Sequence, residues 1–182
     1  MSVDTFSSPF AATGMNSERP GKMSKLNITP PELRSELEDF YATYASLIDE
    51  KQANAWVDMF LPDAVYAVGT YGNISTTGMW WYTDRGILKL KERAAYTNGY
   101  HWHNPTRMLH VVHNIRAAIE GDSIVAQAAF VVYTADKNDE VKLHIVGRYS
   151  DRLAREDGEL RFQEHRVVVD SETLPANMSI LF

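Results

Sequence analysis

Between residues 106 and 170 the chain reads as four long β-strands, and this constrains the fold more than any other feature. Residues 106–119, 124–135 and 140–154 are each an alternating run, ending at "EGDS", "DKND" and "REDG". Gly, Asp and Asn between alternating runs mark β-hairpins, because these residues accept the backbone conformations that a tight reversal needs. A fourth run, "ELRFQEHRVVVD", pairs back at the end. Strands joined by turns this short are antiparallel neighbours. In the third strand Val141, Leu143, Ile145, Tyr149 and Leu153 share parity, which predicts a core face there.

The first half of the chain has helical spacing instead. At "TPPEL" Thr29 is placed to cap a helix, Pro30 to begin it and Glu32 to close a capping box. Leu33, Leu37, Phe40, Tyr41, Tyr44 and Ile48 then recur on one face, so the helix runs to about Asp49. "EKQANAWVDMF" predicts a second short helix with Trp56, Met59 and Phe60 on one side and Pro62 as its stop. "AVYAVGTYG" reads as a short strand and "NISTTG" as a polar loop. "TDRGILKLKERAAY" reads as a third helix capped by Thr83 and carrying Ile87, Leu88 and Leu90. About three helices followed by an antiparallel meander make an α+β fold, with helices on one face of a curved sheet. Residues 1–28, rich in Ser, Gly, Pro and Thr, show no apolar period and read as an arm; residues 29–182 read as one domain.

Composition narrows the function. The 182 residues include no cysteine, so this chain offers no disulfide, no cysteine-ligated iron–sulfur cluster and no zinc finger. The net charge is −6 with no basic run, which argues against nucleic acid as a main partner. No apolar run approaches the roughly 18 residues that a membrane helix needs. The start lacks the basic and apolar regions of a signal peptide, so a cytoplasmic protein is expected.

Four of the six histidines fall in "YHWHNPTRMLHVVHN", residues 100–114. A mononuclear iron site would need two His and a carboxylate converging on open positions. His101 and His103 share a strand face, whereas His110 and His113 point to opposite faces, so the four converge only across a bend at "NP". The alternatives are interface or solvent histidines, and an acid–base site. In the last, His110 on the sheet would move a proton beside Asp49, with Tyr41 or Tyr44 from the first helix orienting a carbonyl. The two tyrosines equally fit a core stripe.

Elsewhere, Arg107, Arg116, Arg148, Arg152 and Arg166 recur on the strands, where Asp151, Glu164 and Asp170 could pair with them across strands. Met108, Val112, Val146, Val167 and Val169 are expected on a sheet face that helices leave open, and apolar residues there imply burial by another chain. "MWWY" at 79–82 suits an interface, a pocket wall or a core wedge. The apolar tail "MSILF" is expected to dock on a strand or a neighbouring subunit.

The segment "ELEDFYATYASLIDEKQANAWVDMFLPDAVYAV" resembles the opening of the nuclear transport factor 2-like cone fold. With "RMLHVVHNIRA" and "GRYSDRLAREDGELRFQEHRVVVDSETLP", the chain from about residue 30 to 182 resembles the small (beta) subunit of aromatic-ring-hydroxylating dioxygenases. That resemblance implies a structural subunit held with a large (alpha) subunit, usually as an α3β3 hexamer, and supplied with electrons by a reductase or ferredoxin. The Rieske [2Fe–2S] cluster and the mononuclear Fe(II) would then sit in the large subunit, with no cofactor, metal or catalytic residue on this chain. Ring hydroxylation of an aromatic compound is the implied activity, with an aromatic acid as the expected substrate class. Other cone-fold proteins are isomerases and dehydratases that use Asp, His and Tyr. The alternative is therefore a cofactor-independent isomerase, dehydratase or cyclase built on His110, Asp49 and Tyr41.

Overall fold

The computed structural model describes residues 29–101, 107–138, 140–170 and Leu181, with the side chains of residues 100 and 101 outside the description. The arm, "NP" at 104–105 and the tail other than Leu181 lie outside the described residues. Leu181 itself is buried in the core.

Helix α1 spans Pro31–Asp49, and its apolar stripe buries Leu33, Leu37, Tyr41, Tyr44, Ala45 and Ile48. The capping expectation is corrected. Pro30 holds the cap position without a side-chain bond. Thr29 turns instead to strand β3 (Arg107–Glu120), where its hydroxyl accepts from Ala117 N at 2.8 Å and donates to Ala117 O at 3.3 Å. An edge strand leaves such backbone groups without partners, and here they outcompete the helix end for the hydroxyl.

Helix α2 is short, Ala53–Val57, because Phe60 already belongs to strand β1, Phe60–Thr70. Trp56, Met59 and Phe60 are buried as their spacing predicts. Pro62 lies inside β1, in the irregular stretch between Phe60 and Val65, where its missing N–H breaks no regular ladder. The expected polar loop is helix α3, Tyr71–Thr77. It buries no side chain and is held by its ends: Thr70 Oγ1 accepts from Asn73 N, and Gly78 closes it at φ +72°. Strand β2, Tyr82–Arg85, takes the first residues of the expected third helix. Gly86, at φ +79°, turns the chain, and helix α4 follows at Ile87–His101.

Strands β3 (Arg107–Glu120), β4 (Ser123–Ala135), β5 (Val141–Glu156) and β6 (Glu159–Val169) form the meander. The sheet order is β2-β1-β6-β5-β4-β3. Every pairing is antiparallel except β1 with β6. The predicted strand limits hold within two residues, and the α+β cone architecture is as expected.

Three irregularities bend these strands, and each changes which side chains face inward. Between His113 and Arg116 the β3–β4 register shifts, with Asn114 at φ +56°. His144 is an extra residue opposite β4, and Gln163 is one opposite β5. Two parity expectations fail for this reason. Ile145, Tyr149 and Leu153 are buried, but Val141 and Leu143, beyond the His144 bulge, are 67% and 60% exposed. Of the five residues expected on the open face, only Val146 lies there. Met108, Val167 and Val169 are core residues, and Val112 packs against the core. The open face instead carries Leu109, Val111, Tyr133 and Leu143.

The space between α1 and the sheet is filled by rings. Trp56, Tyr41, Tyr44, Tyr66, Tyr149, Phe130 and Phe162 are almost wholly buried. They meet in edge-on and stacked pairs, such as Trp56 with Phe60 at 4.7 Å and Phe130 with Tyr149 at 4.4 Å. Such pairs each add about 0.5–1.5 kcal/mol beyond area burial. Gly147 makes room for them, since a Cβ there would press on Val168 O and come within 2.8 Å of the Phe130 ring. Gly147→Ala is therefore expected to destabilise the fold by about 1–3 kcal/mol. Urea unfolding checks this; an unchanged midpoint would contradict the packing described.

Candidate functional site

Two polar clusters join α1 to the sheet. The first lies deep inside. Asp151 on β5 and His165 on β6 are register partners on the core face. His165 Nδ1 lies 2.8 Å from Asp151 Oδ1, and both side chains are fully buried. Tyr41 donates its hydroxyl to Asp151 Oδ2 at 2.6 Å, and the Arg166 backbone N–H donates to Oδ1 at 3.3 Å. The Tyr44 hydroxyl lies 2.8 Å from His165 Nε2.

Burial pushes the Tyr41 phenol well above its ordinary range, and the Asp151 charge adds to the effect. Burial does the same to Tyr44 and Tyr149, with Tyr66 next in effect for each. Tyr41 and Tyr44 therefore stay protonated and act as donors. A consistent proton order runs from Tyr44 O–H to His165 Nε2, and from Nδ1–H to Asp151. The oxygens of Asp151 are thus met by hydrogen-bond partners from three directions, as a buried polar group requires.

The second cluster sits nearer the surface. Asp49, the last residue of α1, grips His110 of β3 twice. Its Oδ1 lies 2.6 Å from His110 Nδ1, and its Oδ2 accepts from the His110 backbone N–H at 2.9 Å. Asp49 thus clamps one end of the β3 edge and Thr29 the other, so α1 covers an edge that would otherwise template aggregation. Between the clamps runs a groove of about 370 Å³, lined by Tyr41, Ala45, Asp49, Leu109, His110 and Ile115, among others.

The structure brings Asp49 and His110 together, while the hydroxyl of Tyr41 is committed to Asp151. A carboxylate on Nδ1 orients an imidazole as a base through Nε2. Here His110 Nε2 is buried and has no hydrogen-bond partner among the described residues. Burial holds the neighbouring His144 below its ordinary value, and His110 adds to that effect. Both members of the dyad line the groove described above, whose other walls are mostly apolar.

The remaining expectations divide. His113 is exposed and His110 buried, as their spacing requires, while the side chains of His101 and His103 lie outside the description. Among the described residues no group of three His, Cys, Asp or Glu could hold a metal. Arg148 on β5 pairs with Asp170, just past the end of β6, at 2.5 Å, as cross-strand pairing suggested, whereas Arg166 pairs at 3.0 Å with Glu164 of its own strand. Asp151 does not pair with an arginine side chain, and Arg152 reaches Glu120 at 3.5 Å. In "MWWY", Trp81 and Tyr82 pack on the core, Arg93 stacks on Tyr82 at 3.6 Å, and Met79 is exposed. Sequence reasoning missed the Asp151–His165 pair. Its only signal was parity, since Asp151 alternates with Tyr149 and Leu153, and His165 with Val167 and Val169.

The SnoaL-like domain family matches residues 31–166. A protein of Pseudomonas putida described as "p-cumate 2,3-dioxygenase system, small oxygenase component" is 31% identical over 148 residues, 78% of this chain and 81% of that protein. Among solved structures, one from Novosphingobium aromaticivorans described as the beta subunit of an aromatic-ring-hydroxylating dioxygenase has a TM-score of 0.69 at 21% identity. The match covers 80% of this chain and 94% of that one. The beta subunit of the benzoate 1,2-dioxygenase of Burkholderia mallei has a TM-score of 0.66 at 16% identity, covering 85% and 99%. The chain belongs to the SnoaL-like domain family and, within it, is kin to the small subunits of ring-hydroxylating dioxygenases.

Asp151→Ala strands the Tyr41 hydroxyl, the His165 ring N–H and the Arg166 N–H, so a loss of about 3 kcal/mol or more is expected in urea unfolding. A loss below about 0.5 kcal/mol would show that the cluster is not the internal brace described. His144 gives a pH signature. Its folded value lies below the unfolded value of 6.5, so the unfolded chain binds more protons just under that pH. The associated stability is present above pH 6.5 and lost as pH falls. His144→Gln should flatten the fall of the urea midpoint between about pH 7 and 5 relative to wild type. Parallel curves would contradict this.

Proposed function

We propose that this chain is the structural small subunit of an oxygenase that hydroxylates an aromatic ring, holding large subunits in register in an α3β3 assembly. The observation that carries the reading is the filled cone. The residues that would line a catalytic pocket are rings and a satisfied Tyr–Asp–His brace, while the chain is kin to a protein described as a small oxygenase component. Small implies a large partner. The p-cumate and benzoate named for two relatives are both aromatic acids, which supports an aromatic acid as the substrate class.

The residues here do not fit the implied metal groups. A Rieske cluster needs two Cys with two His, and the chain has no Cys. The described residues offer no two-His-one-carboxylate set. The cluster and the mononuclear iron are assigned to the large subunit, and electron delivery by a reductase or ferredoxin is assigned to the assembled enzyme. No helix among the described residues is long and apolar enough to cross a membrane.

A second reading has one observation in its favour, the Asp49–His110 dyad. It is a cone enzyme in which His110 is the base, Asp49 orients it and Tyr41 holds the substrate. Co-expression with the large oxygenase component of the same organism separates the two. The small-subunit reading expects a complex containing iron and labile sulfide, while the small chain alone turns over no aromatic acid. It also expects His110→Gln to leave ring hydroxylation by the assembled enzyme within about twofold, whereas removing a general base costs about a hundredfold or more. Turnover by the isolated chain that His110→Gln abolishes would overturn it.

A further inference from the structure

The core face of the sheet is left uncovered at one end. Ile119 alternates with Ala117 on that face and lies opposite its register partner Ile124, and both of these neighbours are buried. Ile119 itself is 65% exposed. The cause is the position of α1, which begins at Pro31, just after Thr29 has met β3 at Ala117. No described part of the helix reaches past Ile119.

The strand edge is open at the same place. β3 is the outermost strand, and Thr29 takes the outward N–H and C=O of Ala117. Outward backbone groups recur at every second residue of an antiparallel edge, so the next pair belongs to Ile119. Among the described residues nothing pairs with it. An unpaired edge beside an uncovered apolar side chain fits an added extended segment.

Between this edge and the first turns of α1 lies a groove of about 640 Å³. Leu33, Ile119 and Ile124 give it an apolar lining. Its charged groups are Glu32, Glu36, Asp122 and Arg155. Arg155 and Glu36 hold each other through two hydrogen bonds of 2.6 Å. Glu32 and Asp122 have no partner among the described residues, so the lining is net acidic.

The chain carries a segment of matching chemistry next to this groove. Residues 19–28, "RPGKMSKLNI", hold Arg19, Lys22 and Lys25 with no acid, together with Met23, Leu26 and Ile28. Their charge is opposite to the −6 of the whole chain. Helix α1 runs from Ala117 toward His110, against the direction of β3, so the chain before Thr29 enters from the Ile119 side. Pro30 lines the groove. A segment joined directly to the rim has an effective concentration there of about millimolar, with which a separate partner must compete.

We propose that residues 19–28 of this same chain fill the groove. They pass along the β3 edge at Ile119, lay Leu26 over Ile119 and Leu33, and set Lys22 and Lys25 against Glu32 and Asp122. The arm thereby continues the edge cover that Asp49 and Thr29 begin, whether or not the chain serves an oxygenase.

Hydrogen exchange, read residue by residue on the isolated full-length chain, tests this. The Ile119 N–H is expected to exchange about a hundredfold or more slower than an unstructured amide. Leu26→Asp should speed it about tenfold or more, while amides in the middle of β4 and β5 keep their wild-type protection and report an intact fold. Glu32→Lys combined with Asp122→Lys should also release the arm. Adding Lys22→Glu and Lys25→Glu to that variant should restore protection, a rescue that damage to the fold would not give. Fast exchange of Ile119 in the wild-type chain, protection that Leu26→Asp leaves unchanged, or charge reversal without rescue would each overturn the proposal. Protection that is lost on dilution would overturn it in favour of an arm donated by a second copy.

Discussion

The structure depends on α1 being bonded to the sheet from within. Tyr41 and Tyr44, three residues apart on one helical face, reach Asp151 and His165 on adjacent central strands. Hydrophobic burial holds the helix against the sheet, but it is not directional. The hydrogen bonds fix the helix's rotation and axial position, because only one placement satisfies the buried carboxylate and imidazole together. The clamps at Thr29 and Asp49 then set the helix along the β3 edge. With those contacts made, the remaining rings close the interior.

That closure bears on function. A cone fold can enclose a reaction chamber, and this one encloses Trp56, Tyr66, Tyr149 and their neighbours. Tyr41, Tyr44, Asp151 and His165, residue types suited to acid–base chemistry, occur inside it as mutual hydrogen-bond partners. The Asp49–His110 pair retains the geometry of an oriented base, yet among the described residues its other nitrogen has no hydrogen-bond partner. The opposite face of the sheet carries exposed apolar side chains, Leu109, Val111, Tyr133 and Leu143.

Much of this architecture was legible in the sequence, because periodicity and turn chemistry are local signals. The four meander strands, the α1 stripe and the burial of Trp56 all follow from spacing that neighbouring residues enforce. What failed depends on partners distant in sequence or on single inserted residues. Helix α3 has no apolar stripe and exists through the Thr70 cap and Gly78. The His144 bulge reversed the expected sides of Val141 and Leu143, and four of the five residues expected on the open face belong to the core side. Thr29 looked like a cap until the β3 edge supplied a better partner. Asp151 looked like one half of a surface ion pair, because nothing near it in sequence announces Tyr41 at a separation of 110 residues. The Asp49–His110 contact was legible as a pairing of types, but not the burial of its other nitrogen.

The most direct test of a closed interior is the imidazole nitrogen spectrum of His165 in the isolated chain, recorded with and without an aromatic acid such as benzoate. A filled, internally satisfied cone predicts slowly exchanging His165 signals that do not move at any ligand concentration. A saturable shift of those signals on adding the acid would show that a ligand enters between α1 and the sheet, and would contradict the account.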